Sequence, residues 1–170
     1  DTGKNIHLPD GRSLVEYNRC GVPLMEVVTE PDFTTPEQVR EYLNMLRAIF
    51  RYLGVSTADM EKGVMRAEPT INLIDPESGE RTPKVEIKNL NSFKFVRKAI
   101  SYEIERQTEM IERGGGVTEE TRLWNENRDV TESMRTKESS SDYRYFPEPD
   151  LPPFAPDEAF LRRVEESLVE

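Results

Sequence analysis

The segment from Lys84 to Gly116, KVEIKNLNSFKFVRKAISYEIERQTEMIERGGG, restricts the fold more than any other part of the chain. It begins with period two, which places Val85 and Ile87 on one face and Lys84, Glu86 and Lys88 on the other. It then changes to the three-and-four spacing of an amphipathic helix, with Val96, Ala99, Ile100, Ile104 and Ile111 as the expected inward stripe. Ser92 stands where the helix begins, and three successive glycines from Gly114 stop it. A strand that hands over directly to a long helix points to a sheet with packed helices.

The remaining punctuation extends this pattern. Thr35-Pro36-Glu37-Gln38 supplies an N-cap, a proline at the first helical position and a glutamine at the third, opening a helix that reaches Leu53 with Gly54 as its stop. Val39, Leu43, Leu46, Phe50 and Leu53 form its core-facing stripe. Leu14 to Tyr17, Val22 to Thr29, Met65 to Ile74, Glu120 to Asn125 and Val130 to Lys137 read as strands, and Asp75 to Pro83 as a turn-rich loop. Pro156-Asp157 opens a last amphipathic helix through Leu168. The expected fold is α+β with a mostly antiparallel sheet. A chain of 170 residues, 35% hydrophobic, suits one domain or part of one. Asp1 reads as the middle of a longer protein, so a fragment is expected.

Composition narrows the functional classes. No apolar run approaches the length that crosses a bilayer, no secretory signal is present, and the single cysteine excludes a disulfide framework, so a cytoplasmic setting is expected. A formal net charge of -10 argues against a sequence-independent grip on nucleic acid, which depends on neutralising phosphates with Lys and Arg.

The strands' polar faces carry the chemistry. In RAEPTINL, Arg66, Glu68, Thr70 and Asn72 share one side; in PLMEVVTE, Glu26 and Glu30 share a side; in KVEIK, Glu86 lies between two lysines. Aligned in one sheet, Glu26, Glu68 and Glu86 would converge. Two carboxylates about 4 Å apart repel by roughly 4 kcal/mol at an effective dielectric near 20. A hard divalent cation offsets that repulsion, because Mg2+ takes a few carboxylate oxygens and completes its shell with water and nucleotide phosphates. Lysines and Arg66 would meet phosphate oxygens, and Asn89 and Asn91 would orient ribose, base or substrate. Periodicity leaves a second reading open, a solvated face with cross-strand ion pairs worth under about 1 kcal/mol each.

Other features read as structural. His7 has no second His or Cys nearby and is expected at the surface. Cys20 lacks a partner base and is expected to be a small buried residue. The triple glycine follows a helix, whereas a phosphate-binding loop precedes one, and neither a Walker A pattern nor GxGxxG occurs. Tyr143, Tyr145 and Phe146 are expected to anchor a loop on the core.

The strings SLVEYNRCGVPLMEVVTEPD, LRAIFRYLGVS, VEIKNLNSFKFVRKAISYEIERQ, ETRLWNENRDVTESMRTKE and DYRYFPEPDLPP closely resemble the B subunit of tRNA-dependent amidotransferases, GatB. The resemblance implies a cradle domain with a glutamine synthetase or guanido kinase-like fold, with residues 1-150 forming its central and C-terminal part and 151-170 a connection and helix toward a missing helical region. It implies ATP- and Mg2+-dependent phosphorylation of the side-chain carboxylate of Glu-tRNA(Gln) or Asp-tRNA(Asn). Ammonia from a partner amidase, GatA, then displaces phosphate, and a small third component, GatC, completes the complex.

Residue by residue, the resemblance implies metal ligation by Glu26, Glu68 and Glu86. It implies catalytic roles for Glu86, Lys88 and Arg66, and nucleotide contacts from Lys84, Lys88, Asn89 and Asn91. Where this chain reads Arg66 to Asn72, the family usually has Arg-Cys-Asp-Ala-Asn-Val-Ser; Glu68 is one methylene longer than that aspartate, and Pro69 makes the strand an edge or a bulge. Histidine- and glutamate-bearing segments that contribute metal ligands precede the equivalent of Asp1 in the family. The rival reading is a non-catalytic scaffold that docks the amidase and positions aminoacyl-tRNA.

Overall fold

A computed structural model describes residues 4-136 and 152-168. The elements are β1 (Lys4–His7), β2 (Ser13–Glu16), α1 (Pro36–Tyr52), β3 (Thr70–Ile71), β4 (Val85–Lys88), α2 (Phe93–Glu112), β5 (Glu120–Asn125), β6 (Val130–Thr136) and α3 (Glu158–Glu166). β1 and β2 form an antiparallel hairpin, and a second sheet has the order β3-β4-β5-β6.

Both long helices begin and end as their sequences dictate. Thr35 is extended, its hydroxyl accepts from the Gln38 amide at 3.2 Å, and the Gln38 side chain accepts from the Thr35 amide at 3.1 Å, completing a capping box. Ser92 caps α2 by accepting from the Phe95 amide at 3.2 Å. At the other end of α2, Gly114 adopts a positive φ of 77°. There the Gly114 amide bonds to the Ile111 carbonyl and the Gly115 amide to the Met110 carbonyl, a paired closure that a residue with a Cβ would resist.

α2 is the crossover between β4 and β5, so these strands run parallel, as a long helical connection permits and a tight turn does not. The other three pairings are antiparallel. α1 packs on α2, and a core of Leu43, Met65, Ile71, Ile87, Val96, Ala99, Ile100 and Trp124 lies between the helices and the sheet. Phe95 and Tyr102 flank Trp124, with ring centroids 6.5 and 6.3 Å away.

Several expectations need correction. Val22 to Thr29 forms no strand: the segment is irregular and exposed, with Leu24, Val27 and Val28 in solvent. A strand exists only as part of a ladder, and none of the ladders among the described residues includes these positions. Cys20 is exposed rather than buried, because it closes a turn in which its amide bonds to the Tyr17 carbonyl at 2.9 Å. Of Met65 to Ile74 only Thr70–Ile71 is a strand, with one bridge from Ile74 to Arg81. Pro69 has no amide to give the ladder, and its carbonyl accepts from the Ile87 amide at 2.9 Å. The strand lies at the sheet edge, as that proline required.

Within the helices, Leu53 and Ile111 are exposed because they fall at the ends beyond the packed face. Ile104 packs against the core as expected, and the fully buried positions that follow Ile100 on α2 are Glu103 and Gln107. β6 runs to Thr136, His7 is at the surface beside Ser13, and Lys137, Tyr143, Tyr145 and Phe146 lie outside the described residues. α3 starts at its Asp157 cap as expected, with none of its residues buried.

Candidate functional site

β4 divides its side chains between two environments. Val85 and Ile87 are fully buried in the core, whereas Glu86 and Lys88 stand on the opposite face, partly open to solvent. The register carries this polar face across the sheet: Glu86 is opposite Thr70 on β3 and Thr121 on β5, and Lys88 is opposite Leu123.

Three of the charged residues singled out by sequence meet there. The Lys88 ammonium donates to Glu68 Oε2 at 3.0 Å and lies 3.6 Å from Glu86 Oε1. Thr121 Oγ1 donates to the other Glu86 oxygen, Oε2, at 3.1 Å. Partial burial works against the charge of Lys88, but the hydrogen bond and charge of Glu68, joined by the charge of Glu86, outweigh it and hold the lysine above its ordinary pKa. The Lys88–Glu68 pair leaves 32% and 40% of its side chains exposed, so its contribution to folding is under about 1 kcal/mol. Folding alone therefore gives little reason to gather these charges.

The other residues of the expected site are placed differently. Asn89 adopts a positive φ of 65° at the end of β4, and its side-chain amide donates to the Trp124 carbonyl at 3.1 Å, tying the strand end to β5. Asn91 lines a surface depression at the start of α2 with Arg47, Arg51 and Asp59. Lys84 and Arg66 are exposed. Glu26 lies in the exposed irregular segment rather than on a neighbouring strand.

A buried ionic network escaped sequence reasoning. Glu103 accepts from Arg106 Nε at 3.0 Å, from Gln107 Nε2 at 3.0 Å and from Thr131 Oγ1 at 3.0 Å. Glu120 accepts from Arg122 Nη1 at 2.7 Å and from Ser133 Oγ at 2.6 Å. Burial pushes the Glu120 carboxyl up, yet the bonds from Ser133 and Arg122 and the charge of Arg106 bring it below the usual carboxylate range. Glu120 and Arg122 alternate with Thr121 along β5, so one strand serves the network on one face and Glu86 on the other. The available signal was the spacing Val96, Ala99, Ile100, Glu103, Gln107, which continues the inward stripe with polar side chains.

Residues 1–162 match the GatB/GatE catalytic domain. This chain belongs to that family. The B subunit of the aspartyl/glutamyl-tRNA(Asn/Gln) amidotransferase of Thermotoga petrophila is 50% identical over 175 residues, a match that takes in all of this chain and 36% of the relative. The protein of the same name from Thermodesulfovibrio yellowstonii is 48% identical over 170 residues, again 100% of this chain and 36% of the relative. That of Carboxydothermus hydrogenoformans is 48% identical over 174 residues, with the same shares. The chain thus spans about a third of the length of these curated relatives.

Among the described residues, no group of three or more His, Cys, Asp or Glu side chains stands close enough to hold a metal. Two carboxylates do converge, and a positive charge, the Lys88 ammonium, already lies between them. Hard carboxylate oxygens and the lack of a soft donor suit Mg2+, which needs only one or two protein carboxylates. Glu68 and Glu86 have the oxygen donors such an ion takes, but here both face the Lys88 ammonium, and among the described residues no third His, Cys, Asp or Glu stands beside them.

Proposed function

We propose that this chain is the kinase-like part of a tRNA-dependent amidotransferase. It would activate the side-chain carboxylate of Glu-tRNA(Gln) or Asp-tRNA(Asn) for amidation by ammonia from a partner amidase, GatA, in a complex with GatC. The supporting observation is the meeting of Glu68, Glu86 and Lys88 on the open face of the sheet, in a chain of the GatB/GatE family. On this reading residues 1-150 belong to the catalytic cradle, akin to glutamine synthetase or guanido kinases, and residues 151-170 lead toward the helical part of the full-length protein. On the same reading the setting is the cytoplasm. No helix among the described residues is long and apolar enough to cross a membrane.

When bound, ATP with Mg2+ supplies the phosphoryl group that turns a poor oxide leaving group into phosphate, which ammonia can displace. Glu68 and Glu86 would hold the ion; Glu26, on the exposed irregular segment, does not stand with them in this fold. Lys88, already charged and within reach of both glutamates, would turn its ammonium toward phosphate oxygens, and Lys84 at the start of the same strand would extend that positive edge. Asn89 and Asn91 would orient nucleotide or acceptor, and Arg66 would neutralise charge on the leaving side. Fixed charges of this kind act by position, because they need no reorganisation as charge shifts during the reaction.

The test is Glu86→Gln in the full-length protein within its complex, scored by glutamine-dependent amidation and by ATP hydrolysis stimulated by Glu-tRNA. Loss of a charge-stabilising group costs about 2.7 to 4 kcal/mol, so both rates should fall by roughly 100- to 1000-fold. Rates near wild type would leave the scaffold reading in its place.

A further inference from the structure

Thr121 has no role in the proposed activation step, yet its hydroxyl is placed unlike a surface threonine's. The side chain is fully buried, it faces Glu86 across the parallel β4–β5 ladder, and its Oγ1 donates to Glu86 Oε2 at 3.1 Å. Most buried side-chain hydroxyls bond to backbone or water. This one is aimed at a carboxylate on the open face.

The flanking residues explain why it holds that aim. Glu120 and Arg122 project to the opposite side of β5, where Arg122 donates to Thr131 Oγ1 at 2.7 Å and to the Thr131 carbonyl at 2.8 Å, and where Ser133 donates to Glu120 at 2.6 Å. The strand is thus clamped immediately before and after Thr121. The pairing of β5 with β6 shifts between Thr121 and Arg122, and irregularities of this kind re-aim side chains in a ladder. A β-branched residue on a clamped strand has little χ1 freedom, so the hydroxyl direction is fixed with the backbone.

We infer that Thr121 is a positioning residue for Glu86. Its hydroxyl holds Oε2 against the sheet and so fixes the orientation of the carboxylate whose other oxygen, Oε1, lies 3.6 Å from the Lys88 ammonium. The inference rests on the proposed role of Glu86 as an ion-binding carboxylate. Partners that orient a ligating carboxylate typically account for about 10- to 100-fold in metal affinity or activity.

The experiment compares Thr121→Val, Thr121→Ser, Glu86→Gln and the double variant in the full-length protein, first by Mn2+ binding followed by electron paramagnetic resonance without tRNA, then by kcat and KM for amidation. Thr121→Val keeps shape and loses the hydroxyl, and Thr121→Ser keeps the hydroxyl. Mn2+ affinity and kcat should fall about 10- to 100-fold in Thr121→Val and less than about 3-fold in Thr121→Ser, while KM for aminoacyl-tRNA stays constant. The double variant should be no weaker than Glu86→Gln alone. Equal losses in Thr121→Val and Thr121→Ser, or additive losses in the double variant, would overturn the inference. An impaired Glu86→Gln beside an unaffected Thr121→Val would overturn it and leave the proposed function standing, whereas an unaffected Glu86→Gln would remove both.

Discussion

Replacing Glu103 by Gln should loosen this domain far more than a conservative change on a helix usually does. Glu103 is fully buried and its two oxygens accept from Arg106, Gln107 and Thr131, with Arg122 Nε 3.6 Å away. The substitution keeps the shape, removes the charge, and turns one acceptor into a donor that faces other donors. Breaking a buried ion pair by removing one partner costs roughly 3 to 5 kcal/mol. Here both arginines retain Glu120, at 3.6 Å from Arg106 and 2.7 Å from Arg122, so the lower end of about 3 kcal/mol applies. Hydrogen exchange of α2 and β6 amides in the full-length protein reads this directly, because 1.4 kcal/mol is tenfold in the opening equilibrium and the variant should exchange about 100-fold faster. Glu109→Gln is the comparison: its pair with Arg113 leaves 62% and 78% of the side chains exposed, and its loss should change exchange by roughly twofold. If Glu103→Gln and Glu109→Gln behave alike, the buried network does not hold the helix to the sheet.

Lys88→Met should separate stability from activity. The unfolding free energy should change by under about 1 kcal/mol, because the ion pair is partly exposed to solvent, while amidation by the full-length complex should fall by about 100-fold or more. Glu120→Gln should flatten the acid limb of stability. The Glu120 pKa is lowered in the fold, so its stabilisation is complete above the ordinary carboxylate value of about 4.3 and is lost as pH falls through the lower folded value. Denaturant midpoints measured on either side of about pH 4 should therefore differ less in the variant than in the wild type. Thr35→Ala removes the capping box of α1 and should cost about 1 kcal/mol, visible as faster exchange confined to the first turn of that helix.

What the sequence made legible was local. Thr35, Pro36 and Gln38 dictated where α1 begins, Ser92 and Gly114 bounded α2, and Glu120 to Asn125 matched β5 residue for residue, because caps and period-two alternation are written in neighbouring residues. Polar faces aligned in a shared sheet bring Glu68 and Glu86 to one lysine, and the bond from Lys88 to Glu68 across twenty positions is the cross-strand ion pair of the second reading. Pairing was harder to read. Nothing in Val22 to Thr29 states whether a partner strand exists, so Glu26 was expected on a ladder that the described residues do not form. The parallel junction of β4 with β5 depends on where α2 returns the chain, and the polar stripe at Glu103 and Gln107 becomes intelligible only once Arg106, Arg122 and Thr131 close around it. Thr121 gave no signal at all, since its importance comes from its neighbour on another strand.

The most direct test is a crystal structure of the full-length protein with Mg2+ and a non-hydrolysable ATP analogue. The expected result is an ion at about 2.0 to 2.1 Å from a Glu86 oxygen, with Lys88 Nζ turned to a phosphate. An ion and phosphates bound away from β4, with Lys88 still bridging Glu68 and Glu86, would contradict the assignment of this face.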